Sequence, residues 1–465
     1  MAAQCRRLLM SRRRHCYLYL LAAISITALC YSWAPTLGND ASDQQKNELG
    51  GKGLAQPSKK DQFSLKSGEK KNNKDLYRNK NVEEKDLIDD NLVIMDTKFD
   101  DGTSLLDYGN IFWDSDIERI FQAGTSKLIN RCSEFDRKLD LLPISKLQAS
   151  SWTKCGRQGN AFGQFANNGG SFCVRYRHPH DHFVAGEFLS FHLALLLGLH
   201  TVPCVRLSST GSQTGDHEKD IESPKWPVNI SDTLKWKDNK PIAFIEWVPD
   251  LSGGLLIPAI LLEALTSKKA IRSGQVQNAS VSERSLLAQW SDLIVFDYLN
   301  GHHDRFARLQ DDSEKEHRRD ILQSPVPNLA VDKHGLLWFY DNEPGLLDAY
   351  SLMYSISRPV TDTSESARFL RYHNEMLNTT CVFRRETIRR VQRLYELTDK
   401  DWMAPFRKVV EENERYFQST DISSSWLHKG SSWSTYLKKH FRERVEKVLD
   451  HVRWCWHKEV LEFRK

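Results

Sequence analysis

The chain has 465 residues, 40% of them hydrophobic and 13 of them tryptophan, enough to bury the core of one large or two ordinary domains. Its 65 basic and 61 acidic residues leave a formal net charge of only +4. That balance is too even to imply nucleic-acid binding, which shows as a concentrated basic face.

Residues 1–15 carry Arg6, Arg7, Arg12, Arg13 and Arg14, and they precede "CYLYLLAAISITALCYSWA", nineteen residues without a charge. A run of that length crosses a bilayer. Positive charge stays on the cytoplasmic side, so residues 16–34 read as a type II signal-anchor with the rest of the chain in the secretory lumen. The alternative, a cleaved signal peptide, lacks a small-x-small cleavage site with the right flanks. Cys5, Cys16 and Cys30 then lie in cytoplasm or membrane. Cys132, Cys155, Cys173, Cys204, Cys381 and Cys455 remain in an oxidising compartment, an even set for up to three disulfides. No CxxC pair points to zinc. Sequons at Asn229, Asn278 and Asn378 fit the same compartment.

Residues 35–100 are rich in Lys, Asn, Asp, Gln, Ser and Gly and poor in large apolar side chains, a composition expected of a flexible luminal stem. Aromatic content resumes at "DYGNIFWDSDIERIF". The remainder divides into an N-terminal lobe, 101–248, and a C-terminal lobe, 249–465. In the first lobe "CGRQGNAFGQFANNGGSFCVRY" sets glycines between short strand-like runs. In "FCVRY" the alternation predicts Phe172, Val174 and Tyr176 on one face, Cys173 and Arg175 on the other. "HFVAGEFLSFHLALLLGL" then places Val184, Phe188, Phe191, Leu195 and Leu199 at helical spacing, with Glu187 beside that stripe. After a long polar loop, "IAFIEWV" reads as a strand leading into a connection. Its Trp247 is either a core residue or one near an interlobe hinge and adenine pocket.

The second lobe is mainly helical. Leu286, Leu287, Trp290, Leu293 and Ile294 share a helical face, and "FDYLNGHHDRF" lies where that helix should end. "GLLWFYDNEPG" is a short apolar strand that delivers Asp341, Asn342 and Glu343 into a turn. Leu437, Phe441, Val445, Val448 and Val452 mark a last amphipathic helix whose face includes Cys455, which favours a bridge to Cys381. Cys155 with Cys173 is the other pair the sequence suggests, and the partners of Cys132 and Cys204 stay open.

A glycine-bearing segment, a strand cation, a helix glutamate, then helix-loop-Asp and strand-Asp is the order of parts in a protein kinase. Phosphoryl transfer needs a cation on the phosphates, a divalent metal bridging them, and a carboxylate that accepts the proton of the incoming hydroxyl. Arg175, Asp341 and Asp304 are of those types.

The blocks "CVRY", "GEFLSFHLALLLGL", "QWSDLIVFDYLNGHHDR", "LLWFYDNEPGL" and "CVFRRETIRRV", over residues 110–460, resemble the four-jointed box kinases. These are Golgi enzymes in the wider group of secretory-pathway kinases that includes the secreted casein kinases. The pair "FDYL....DR" and "DNE.GL" is the most specific part, whereas the anchor and stem share only the arrangement. The resemblance implies an α+β, two-lobed protein-kinase-like fold with a mainly helical C-terminal lobe, anchored in the Golgi membrane with its catalytic domain luminal. It also implies ATP with Mn2+ or Mg2+, and phosphorylation of Ser or Thr in cadherin repeats of large protocadherins, with consequences for planar polarity and growth signalling. By motif, Asp304 would be the catalytic base and Asp341 the metal ligand. Arg175 would replace the usual phosphate-binding lysine, with Gly156 and Gly159 in the phosphate loop, and Glu187 would hold Arg175 or help with metal. Arginine suits that place, being always charged and able to bind phosphate oxygens bidentately.

Plainer readings stand beside these. Asp304 would be a loop carboxylate paired with Arg305, and Arg175 a surface strand residue. Gly156, Gly159 and Gly163 would be turn glycines, since their spacing is not GxGxxG. "HPHDH" at 178–182 looks like a metal tract but reads as a strand-to-helix loop. One departure matters more: the second metal-binding Asn of kinases, five residues after the catalytic Asp, is here Leu309. Either Asp311, Asp312 or Asn328 supplies that oxygen, or the chain is a catalytically silent protein of the same fold. A Golgi glycosyltransferase is a third class, because it shares the anchor and stem and "DSD" at 114–116 formally matches Asp-x-Asp.

Overall fold

The computed structural model describes residues 111–463 other than 127, 152, 211–233, 355–363, 402 and 419–432. The expected signal-anchor and stem, the polar loop and Asn229 lie outside the described residues. Among those described, no helix is long and apolar enough to cross a membrane.

Helix α1 (Ser115–Ser126) starts at Asp114, whose Oδ1 accepts from the backbone N–H of Asp116 at 3.1 Å and of Ile117 at 3.0 Å. Its Oδ2 pairs with Arg284, and Asp116 pairs with Arg119. The "DSD" tripeptide is therefore a helix cap with its carboxylates already partnered. Helix α2 (Arg131–Leu141) leads into a five-stranded antiparallel sheet made of β1 (Ile144–Ala149), β2 (Ala161–Phe165), β3 (Ser171–Tyr176), β4 (Val205–Ser209) and β5 (Pro241–Glu246). The strand order is β1-β2-β3-β5-β4, with Cys173 opposite Ile245 and Arg175 opposite Ala243. Helix α3 (His182–Leu196) follows β3 and packs on β4 and β5. It is apolar almost all round, because its other side meets the helical lobe.

That lobe contains α4 (Ala259–Ser267), α5 (Val281–Asn300), α6 (Phe306–Glu316), a hairpin of β6 (Leu329–Val331) and β7 (Leu337–Phe339), then α7 (Leu347–Tyr354), α8 (Glu365–Leu377), α9 (Arg385–Leu397), α10 (Arg407–Glu412), α11 (Glu414–Gln418) and α12 (Trp433–Phe463). Helix α5 is central. A capping box starts it, with Glu283 N–H donating to Ser280 Oγ at 3.2 Å and Ser280 N–H to Glu283 Oε2 at 2.8 Å. It is buried without interruption from Ala288 to Asn300 and stops at Gly301, whose φ of 72° is open to glycine at little cost. A small antiparallel sheet with one helix, followed by a mainly helical lobe, makes this an α+β, protein-kinase-like architecture.

Three disulfides brace it: Cys132–Cys204, Cys155–Cys173 and Cys381–Cys455. Cys381, His451 and Cys455 lie close enough to mimic a metal trio, but the two sulfurs are bonded to each other. Asn278 and Asn378 are both exposed, as glycan acceptors must be.

Candidate active site

Alternation along β3 does put Arg175 opposite Phe172 and Val174, yet its side chain is only 9% exposed. It is not a surface strand residue. A guanidinium is buried only with partners, and Nη1 has three: Asp341 Oδ1 at 2.5 Å, Glu343 Oε2 at 2.6 Å and Glu187 Oε2 at 3.1 Å. Arg177, two residues on and so on the same face, reaches Glu343 Oε2 with Nε at 2.6 Å and Asn160 Oδ1 with Nη1 at 2.5 Å. Strand β3, helix α3 and the turn after β7 thus converge on one cluster. The backbone at Asp341 has φ 56°, a left-handed turn that Asp tolerates and that carries the chain sharply out of β7.

Electrostatics sets two of these carboxylates apart. Burial pushes the Glu187 carboxyl up to about 7 against the pull of Arg175. Desolvation would raise Asp341 too, but Arg175 outweighs it and holds that carboxyl below its usual range. The Asp341 side chain is 38% exposed, so it is ionised and the accessible member of the cluster.

Helix α3 comes this close because residue 186 is glycine. A Cβ there would lie 2.5 Å from the Glu343 carbonyl oxygen and 3.0 Å from that of Gly345. Gly186→Ala should therefore cost about 1–3 kcal/mol by overpacking, although alanine is the better helix former. Urea unfolding measures this, and an unchanged midpoint would mean that α3 can retreat from the turn.

The second acidic element follows α5. His302 is buried, and its Nε2 lies 3.1 Å from the Asp341 carbonyl oxygen. Burial, reinforced by Arg305, holds this imidazole well below its usual range, so it is a neutral strut between the two acidic turns. His303 and His182 both approach Asp348, at 3.8 and 3.4 Å, and His178 lies 3.5 Å from Asp181. The "HPHDH" tract is thus the loop between β3 and α3, with His182 as the first residue of the helix.

Asp304 accepts from Arg308 Nη1 at 2.7 Å on Oδ1 and from Asn328 Nδ2 at 3.2 Å on Oδ2. The expected pairing with Arg305 does not occur. Arg305 is fully buried and binds Asp297 Oδ1 at 2.5 Å, Asn342 Oδ1 at 2.6 Å, Tyr340 O at 3.0 Å and Asn328 O at 3.2 Å. It ties α5, the Asp304 loop, the start of β6 and the Asp341 turn into one unit. Leu309 is a core residue of α6. Of the three candidates for the missing amide, Asp311 is held by Lys315 at 2.5 Å and Arg368 at 2.9 Å, and Asp312 lies 3.7 Å from Arg308. Asn328, with φ 58°, is the one that touches Asp304.

Gly156 and Gly159 lie in the β1–β2 connection. Gly156 has φ 74°, and the Gly159 carbonyl accepts from Trp236 Nε1 at 2.9 Å. The Cys155–Cys173 bridge pins this connection to β3 two residues before Arg175. Gly163 sits inside β2, where a Cβ would fall 2.2 Å from the Phe172 ring. Trp247 follows β5, half-buried, edge-on to Phe162 at 5.4 Å between ring centroids.

The sequence pointed to no role for Glu343, Arg177 or Asn160, and to Arg305 only as a partner of Asp304. Signals existed for two of them: Arg177 shares a strand face with Arg175, and Arg305 belongs to the spacing "FDYL....DR" with Asp297. Three carboxylates face two guanidiniums, and Glu187 Oε2 and Arg175 Nε are buried without a hydrogen-bond partner. A cluster with excess negative charge and hard oxygen donors suits a divalent cation of the Mg2+ or Mn2+ type.

A family model described as "Four-jointed box protein middle domain" matches residues 130–458. Over 351 residues, 74% of this chain and 70% of the relative, identity to "Four-jointed box protein 1" of Xiphophorus maculatus is 29%. Identity to "Extracellular serine/threonine protein kinase four-jointed" of Drosophila melanogaster is 28% over 288 residues, 52% of this chain and 45% of that one. Among solved structures, "Crystal structure of the golgi casein kinase" aligns with a TM-score of 0.38 and 13% identity, covering 70% of this chain and 77% of that one.

Proposed function

This chain belongs to the four-jointed box family, and from that premise we propose that it is a secretory-pathway serine/threonine protein kinase. It transfers the γ-phosphate of ATP to Ser or Thr of extracellular proteins, cadherin repeats of large protocadherins first among them, in planar polarity and growth signalling. The observation that carries this reading is Arg175 within 3.1 Å of three carboxylates from two separate segments, next to a second turn that presents Asp304. The Drosophila relative's description as an extracellular serine/threonine kinase supports the same class.

In this reading Arg175 and the tethered β1–β2 connection, with Gly156 and Gly159, orient the phosphates. Asp304 accepts the proton of the acceptor hydroxyl, and Asn328 fixes its carboxylate from the side where Leu309 offers nothing. Asp341, Glu187 and Glu343 would hold a divalent cation, which when bound neutralises phosphate charge. The three disulfides support an oxidising compartment. The domain plan is a cytoplasmic tail, an anchor at 16–34, a stem at 35–100, and lobes at 101–248 and 249–465, with the catalytic part in the Golgi lumen. Release of a soluble form by stem cleavage is compatible with this plan.

The test is transfer of labelled phosphate by the full-length protein in detergent, from ATP with Mn2+ or Mg2+ to a cadherin-repeat acceptor. Label on Ser or Thr is expected. Leu309 motivates the silent alternative, and thermal stabilisation by ATP with no transfer to any acceptor would favour it.

A further inference from the structure

We propose that Arg308 is a further catalytic residue of the transfer proposed above: a cation parked on the candidate base Asp304 that turns to the transferring phosphoryl group. The inference rests on the kinase reading.

Four arginines lie around the two acidic turns, and their freedom differs. Arg175 is 9% exposed among three carboxylates, and Arg177 is 8% exposed between Glu343 and Asn160. Arg305 has no exposure and four polar partners. Arg308 stands on the first turn of α6 with its side chain 57% exposed. Its partners are Asp304 at 2.7 Å and Asp312 at 3.7 Å. Pulling a buried guanidinium off its carboxylates costs about 3–5 kcal/mol. Releasing an exposed i,i+4 pair costs well under about 1 kcal/mol. Arg308 can therefore change partners during a reaction cycle at little expense, and the other three cannot.

The two oxygens of Asp304 are held unequally. Asn328, anchored through its carbonyl by Arg305 Nε at 3.2 Å and Tyr340 N–H at 3.3 Å, holds Oδ2. Arg308 takes one of the lone-pair sites of Oδ1, the oxygen that Asn328 leaves for a substrate proton. In the transfer, the acceptor oxygen forms a bond to the γ-phosphorus and gives its proton to Asp304. The bond to the bridging oxygen breaks, and its electron pair leaves with ADP. Negative charge is then spread over the equatorial oxygens. Movement of Arg308 toward those oxygens does two things: it frees Oδ1 for the proton and places a charge-assisted donor on the transferring group. Asn328 keeps the carboxylate in register meanwhile.

The competing reading is an ordinary surface pair on a helix. The test is initial-rate kinetics of full-length wild type, Arg308→Gln and Arg308→Lys, varying ATP and acceptor separately. Loss of one transition-state donor predicts kcat lower by about 10²–10³-fold in Arg308→Gln. KM for both substrates should stay within about threefold, and Arg308→Lys should regain at least about tenfold of the loss. Unfolding midpoints should be unchanged, since the side chain is mostly exposed. A kcat for Arg308→Gln within about threefold of wild type overturns the proposal. So does a raised acceptor KM at constant kcat, which would assign Arg308 to acceptor recognition. If wild type itself transfers nothing, the kinase reading fails and this inference falls with it; wild-type transfer with an indifferent Arg308→Gln sinks this inference alone.

Discussion

Asp341→Asn should abolish phosphoryl transfer, lowering kcat by about 10³-fold or more, while the protein stays folded. The substitution keeps the shape of the side chain and removes its charge. Asp341 Oδ1 lies 2.5 Å from Arg175 Nη1, and Arg175 holds the carboxyl below its usual range, so it is ionised throughout the neutral region. It is also the exposed member of its cluster, the one positioned to meet a ligand. Without its charge, Glu187 and Glu343 still neutralise Arg175 and Arg177, which is why the fold survives. The excess negative charge that a divalent cation requires is gone. Initial rates with Mn2+ or Mg2+, a thermal melt, and the ATP-dependent melting shift together decide the matter. A variant that keeps a tenth of the wild-type rate would show that the Asp341 turn does not carry the metal.

Arg305→Met should be the most destabilising single change in this region, by about 3–5 kcal/mol. Methionine fills a comparable volume, so the cost is electrostatic rather than a cavity. Asp297 would be left buried without its partner, and Asn342 Oδ1 and the carbonyls of Tyr340 and Asn328 would lose a donor. Asp297→Asn in the same background should recover part of the loss, an interaction energy that a double-mutant cycle measures. The pH dependence has a definite sign. Burial raises the Asp297 carboxyl to about 6 from 3.8, with Arg305 opposing. A raised folded-state value means that stability is fullest below the unfolded value and falls as pH rises through about 6. Removing Arg305 raises the folded value further, so between the two the variant holds a proton that wild type has lost. The penalty of Arg305→Met should therefore shrink as pH falls from 7.5 toward 5. Urea midpoints across that range test it; a loss under about 1 kcal/mol at pH 7.5 would mean that water replaces the guanidinium.

Much of the fold was legible in the sequence because the evidence for it is local. Alternation in "FCVRY" and the helical stripe around Glu187 each follow from one segment's own burial pattern. So does the buried run of α5, and the short strand before Asp341 is bounded by its own turn residues. These are the signals that period and capping encode. They also place a strand cation and three acidic positions in kinase order.

What one segment cannot encode is which other segment it will touch. Arg175 read as readily as a surface residue, and only the convergence of β3, α3 and the turn after β7 buries it among Asp341, Glu343 and Glu187. Arg305 and Arg308 flank Asp304 by one and four residues, and the nearer one looked like the partner. The left-handed exit of α5 at Gly301 and the helix that follows send Arg305 inward and leave Arg308 on the carboxylate. Asn328 lies 24 residues from Asp304, and Cys132 lies 72 from Cys204. Their meetings depend on packing between elements that are far apart in the chain. The amino-acid order by itself thus determined the elements, their buried faces and the kinds of chemical group available. Only the tertiary structure decided which charges are neutralised and which remain free to move, because the energy of a charge depends on its surroundings in space and not on its neighbours in sequence.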